Sequence, residues 1–180
     1  MVSESDNLPR PMNVSQPELL PSESSPTSVI DVGTPGAIVM FFVEGEPKPQ
    51  PRARAFAMKG RGVRMYDPGT AEHWKAQIAA GVKDKVPFPP WSGPVEMTVV
   101  FRISRPKGHY GTGKNSRVLK KSAPKYPIGK PDLDNFLKAA MDALSMLSFW
   151  TDDSIVVQTR CSKVYTDNHK PGALIVLKHL

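Results

Sequence analysis

A segment with helical period, "DLDNFLKAAMDAL" at 132–144, stands between two that alternate as strands do, "VEMTVVFRI" at 95–103 and "DDSIVVQTRCSKVY" at 152–165. In the first strand Val95, Met97, Val99 and Phe101 fall on one side, because successive side chains of an extended chain point to opposite faces. In the second, Ile155, Val157, Thr159 and Cys161 alternate in the same way. Between them the spacing predicts a helix over 134–147 whose apolar stripe is Leu137, Ala140, Met141 and Leu144. A strand, a crossover that carries a helix, and a second strand bury that stripe against a sheet.

The other elements extend this unit. "AIVMFFVEGEP" is a dense apolar run closed by Gly45 and Pro47, which predicts a central strand. "KPQPRARAFAMKGRGVRMYDP" is basic and broken by proline, and reads as an irregular strand or hairpin. Asp67, Pro68 and Gly69 make a turn, and Thr70 is placed to cap a helix with Trp74, Ile78 and Val82 on one face. The prolines of "VPFPPWSGP" end that helix, and "GALIVLKHL" supplies a last strand. Together they predict an α+β (mixed α/β) fold, a single mixed sheet of about four to five strands covered by two main helices. Residues 104–131 read as a flexible basic loop. Residues 1–36 are rich in Ser, Pro, Glu and Asn with no sustained period, so they read as a disordered acidic tail ahead of a domain at 37–180.

Composition narrows the function. No run of 18 apolar residues is present, so no helix is expected to span a membrane. The N-terminal "MVSESDNLPRPMNVSQ" lacks the basic start and apolar centre of a secretory signal. The single cysteine, Cys161, cannot form an internal disulfide and reads as a small buried apolar residue, in keeping with a reducing cytoplasm. Residues 1–36 carry one base, Arg10, and five acids, Glu4, Asp6, Glu18, Glu23 and Asp31, a net −4 against +7 for the chain, which leaves +11 on 37–180. A domain that basic points to a polyanion, of which nucleic acid is the commonest.

The basic residues concentrate in two places. From Arg102 to Lys130 there are nine bases and no acid, among them Arg105, Lys107, Lys114, Arg117, Lys120, Lys121, Lys125 and Lys130. Tyr110 and Tyr126 in the same stretch are of the type that stacks on unpaired bases. Arg52, Arg54, Lys59, Arg61 and Arg64 form a second candidate surface. Phosphate contacts of this kind imply steep salt dependence and little sequence readout. The alternative is a solvated basic loop.

Carboxylates sit at element boundaries. Asp132 and Asp134, two residues apart in an extended segment, project to one face just before the helix. Asp134 is expected at or near the N-cap, where free amides and the helix dipole favour its charge. Lys138 lies one turn further on, and Asp142 continues that line, rotated roughly 80°. The pair Asp152-Asp153 closes the crossover, Asp153 standing 19 residues after Asp134. Each has an ordinary reading: a helix cap, an exposed i, i+4 ion pair, a structural hydrogen bond for Asp142, a turn before Ser154. Each carboxylate is also a hard oxygen donor of the kind that suits Mg²⁺ or Mn²⁺. The sequence leaves open whether they converge. His73, His109, His169 and His179 have no zinc-like spacing and receive no role.

The string "DLDNFLKAAMDAL" followed by "WTDDSIVV" resembles the RusA family of Holliday junction resolvases, whose pattern runs D-x-D-N-x-x-K, D-x-L and then D-D-x-x-V. "GEPKPQPRARAF" and "KPGALIVL" are similar to the family's first segment and last strand, so the likeness covers roughly 38–178 with its specific part at 131–157. The resemblance implies a RusA-like homodimeric fold and a crossover junction endodeoxyribonuclease acting in recombination, repair and replication. It implies metal-binding aspartates at Asp132, Asp134 and Asp153, a catalytic lysine at Lys138, and Asp152 in support. It further implies Mg²⁺, with Mn²⁺ as a substitute, and branched DNA, the four-way junction, as partner, without an organic cofactor or a membrane. A phage or prophage origin and a DNA-associated cytoplasmic location fit that family. The long acidic tail and the 104–131 loop depart from its most compact members, which leaves substrate choice open. The competing readings are a nuclease for flaps, forks or other branched DNA, and a non-catalytic structure-selective DNA-binding protein.

Overall fold

A computed structural model describes residues 34–51, 69–167 and 169–180, with the backbone of 54–58 and 62–66. The expected tail therefore lies outside the described residues apart from its last three positions, as does the turn at Asp67 and Pro68.

Among the described residues six strands and two α-helices follow one another as β1 (Ile38–Glu44), β2 (Arg54–Met58), β3 (Gly62–Tyr66), α1 (Glu72–Val82), β4 (Val95–Ser104), α2 (Leu133–Met146), β5 (Val156–Thr166) and β6 (Gly172–His179). Four of them form one mixed sheet in the order β1-β6-β4-β5, antiparallel except for the parallel pair β4/β5. The hairpin β2/β3 is a separate two-stranded piece. The fold is thus mixed α+β, as the order of patterns predicts.

The core explains the arrangement. Val39, Phe41 and Val43 of β1, Val95, Met97, Val99 and Phe101 of β4, and Ala173, Ile175 and Leu177 of β6 are buried at every second position. They form one apolar cluster with Trp74, Ile78 and Val82 of α1 and with Phe136, Ala139, Ala140, Ala143 and Leu144 of α2. Both helices therefore cover the same sheet face, and they pack against each other.

Four expectations are corrected. β1 is an edge strand, not a central one, and Ile38, Met40 and Phe42 are exposed on the uncovered face. A continuous apolar run does not reveal how many of its faces are covered. Thr70 does not cap α1; the N-cap position is Ala71, without a side-chain hydrogen bond. The stripe of α2 is rotated: Ala140 and Leu144 are buried, but Leu137 and Met141 only partly. Phe136 takes the centre, its ring 5.3 Å from that of Phe101, while the small Ala139 and Ala143 let the helix approach closely. β5 begins at Val156 and not at Ile155; it forms the other edge, and Val157 remains 63% exposed. Cys161 is half-buried and unbonded, and desolvation pushes its thiol up to about 11.

Candidate active site

The crossover β4-α2-β5 fixes where the carboxylates lie. Because β5 runs parallel to β4, α2 must run back across the sheet between them, so its two ends stand at opposite ends of the strands. Its 14 residues span about 20 Å.

At the N-terminal end Asp132 occupies the N-cap position in extended backbone, and Asp134 falls in the first turn. Asp134 thus lies near the N-cap, as expected, and Asp132 holds the cap position itself. Asp132 makes no capping side-chain bond. Asp132, Asp134 and Lys138 are all exposed. Backbone contacts hold this end in place: Gln50 N donates to Asn135 O (2.8 Å), and Lys163 Nζ donates to Pro131 O (2.8 Å). The first contact brings the chain entering the hairpin beside α2. Arg52, Lys59 and Arg61 lie outside the described residues, and Arg54 opens β2 as the partner of Tyr66.

At the C-terminal end a recess of about 450 Å³ is lined by Lys75, Asp142, Ser145, Met146, Trp150, Thr151, Asp152 and Asp153. Its floor is pinned by Thr151 N donating to Trp91 O (2.8 Å) and Trp150 Nε1 donating to Ser145 Oγ (2.9 Å). Asp152 Oδ1 accepts from Ser154 N (2.8 Å), and its hydrogen bonds to the Ser154 side chain and backbone hold its carboxyl below the ordinary range. Asp153 opens the short 3₁₀ turn that follows and is exposed. Lys75, only 8% exposed, lies 3.3 Å from Glu72 and 3.4 Å from Asp142. Nothing in the helical pattern marked Lys75, since it neighbours Trp74 on a helix read for its apolar face alone.

Asp132 and Asp134 thus stand together at the start of α2, whereas Asp152 and Asp153 share a recess with Asp142, Ser145 and Met146 of its last turns. Their oxygen chemistry fits a hard divalent cation. Their placement in one chain does not complete a site, because among the described residues no three His, Cys, Asp or Glu side chains gather to hold a metal.

The basic stretch has a built path. Residues 107–109 and 113–115 form 3₁₀ turns, and Tyr110 bridges to Leu119. Arg105 needs correction as a phosphate contact. Its side chain is 5% exposed, paired with Asp167 at 2.5 Å, bonded to Pro124 O at 2.8 Å, and set 4.2 Å from the Tyr165 ring centroid. The hydrogen bond to Asp167 raises the guanidinium and lowers the carboxyl. Tyr110 also donates to Asp167 (3.3 Å). Lys107, Lys114, Arg117, Lys120, Lys121, Lys125 and Lys130 stay exposed, as does Tyr126.

Residues 44–178 match the family model described as Endodeoxyribonuclease RusA. The chain is also 34% identical over 140 residues to "Uncharacterized protein YqaN" of Bacillus subtilis (strain 168), a match covering 76% of this chain and 94% of that protein. No helix among the described residues is long and apolar enough to cross a membrane.

Proposed function

The chain belongs to the RusA family of endodeoxyribonucleases, and from that premise we propose that it resolves four-way DNA junctions by metal-dependent, paired phosphodiester hydrolysis. The observation that carries this reading is the exposed group Asp132, Asp134 and Lys138 on α2, preceded directly by an acid-free cationic segment. Carboxylates left exposed without a capping bond are available to a ligand, and the cations beside them draw in the phosphodiester that such a ligand would serve.

In this reading Asp132, Asp134 and Asp153 hold Mg²⁺, with Mn²⁺ as a substitute. A bound divalent ion offsets charge on the phosphate and acidifies water. Lys138, one turn past Asp134, adds a positive charge where the transition state gains negative charge. Asp152 holds the turn that presents Asp153. The exposed lysines and Arg117 bind phosphates without reading sequence. The separation of the two carboxylate pairs along α2 supports a homodimer in which one copy supplies Asp132 and Asp134 and the second supplies Asp153.

The test is Asp134→Asn on purified protein with four-way, three-way, flap and linear duplex DNA. Junction binding is expected to persist while Mg²⁺-dependent cutting falls at least about a hundredfold. Cutting by Asp134→Asn at the wild-type rate would remove the carboxylates from the chemistry. Wild-type cutting of flaps as fast as junctions would widen the substrate to branched DNA in general.

A further inference from the structure

The stretch 124–131 is pinned at both ends by side chains that the nuclease reading does not use. Arg105 donates to Pro124 O (2.8 Å), its charge met by Asp167. Lys163, on the helix-covered side of β5, donates to Gly129 O and Pro131 O (2.8 Å each). Between these anchors Pro127 is buried while its neighbours stand outward, Tyr126 58% and Ile128 86% exposed. Lys125 and Lys130 flank them, and no acid occurs from 105 to 131.

A single exposed apolar side chain is ordinary. Two on an anchored tip, flanked in sequence by the exposed Lys125 and Lys130, are a surface of mixed character. It suits a partner that is polyanionic outside and apolar and flat inside. Nucleic acid with unstacked bases has that chemistry, since apolar side chains insert between base steps and aromatic rings stack on base faces. Ile128 and Asp132 are four positions apart, a reach of at most about 14 Å, or some four nucleotide steps.

We propose that residues 125–128 form a wedge which enters the centre of a branched DNA, with Ile128 and Tyr126 replacing the stacking partners of bases displaced there. This rests on the nuclease reading for its substrate and goes beyond it in assigning what opens that substrate. Arg105 and Lys163 are positioning residues for the wedge.

The experiment places 2-aminopurine at the centre of a four-way junction and adds full-length protein without divalent metal, so that opening is read apart from cutting. Wild type is expected to raise the fluorescence. The double variant Tyr126→Ser/Ile128→Ser, whose changes lie at exposed positions, is expected to lose most of that rise. With Mg²⁺ the same variant should cut a fully paired junction about tenfold more slowly. On a junction whose central pairs are mismatched, the deficit should shrink to about twofold or less, because the bases are already free. Equal opening by variant and wild type overturns the wedge, as does an equal deficit on paired and mismatched junctions. Wild type that cuts without opening also overturns it and leaves the nuclease reading intact. Wild type that opens but never cuts, with opening lost in the variant, supports the wedge and overturns the nuclease reading.

Discussion

Asp132 holds the N-cap position of α2 in extended backbone, yet its carboxylate accepts nothing from the first turn. Asp134, inside that turn, still faces the positive end of the helix dipole. Asp152 behaves differently, because its carboxylate is committed to Ser154 and thereby holds the 3₁₀ turn that begins with Asp153. Its lowered pKa means that this contribution is present above the ordinary carboxylate range and fades as pH falls below it. An amide oxygen can accept the same bond, so Asp152→Asn should cut DNA within about twofold of wild type, whereas Asp152→Ala should slow by about fivefold. Equal losses in initial-rate assays would mean that Asp152 acts through its charge. Lys75 is a separate matter of stability. Removing it leaves Asp142, 31% exposed, without its cation at the edge of the core. Because Asp142 is partly solvated, Lys75→Ala should cost about 1–2 kcal/mol in urea denaturation, below the range for a fully buried pair.

At the scale of elements, residues 105–131 take their path from Arg105, Asp167 and Lys163. Arg105 and Asp167 lie 62 residues apart, so the tie between the stretch and the β5–β6 turn could not be read along the chain. Lys163 was nearer to legible. It continues the series Ile155, Val157, Thr159, Cys161, and a lysine at an inward position asks for a partner; the partners are backbone carbonyls. Asp167 is held below the ordinary carboxylate range by Arg105, so the tie is intact above that range and is lost as pH falls through the lowered value. Protection of the Tyr110 and Lys120 amides, measured against the intrinsic exchange rate at the same pH, should therefore fall in acid, and Asp167→Asn should produce the same loss of protection at neutral pH. Unchanged exchange in Asp167→Asn would assign the path to the backbone bonds alone. Strand placement had a similar limit: the alternation of β4 was readable because it is central, whereas β1 and β5 take their exposure from lying at the edges.

For the whole molecule, the distance between the two ends of α2 makes a prediction about assembly. If one copy supplies Asp132 and Asp134 and its partner Asp153, then Asp134→Asn and Asp153→Asn are each inactive alone. Mixed and allowed to exchange, they form heterodimers with one intact site, and about a quarter of wild-type nicking should return for random pairing. No recovery, with exchange verified by mass spectrometry, would place each site within one chain.

The amino-acid order by itself determined the elements, the crossover that carries the acidic motif, and the family. These are written in local periods and short fixed spacings, which each segment carries wherever it packs. Only the tertiary structure decided that Asp152 and Asp153 line a recess with the last turns of α2 while Asp132 and Asp134 stand at its start, that Arg105 is an internal ion pair, and that Tyr126 and Ile128 stand on an anchored tip. Those outcomes depend on which strands become neighbours and which faces are covered, and no local period encodes either.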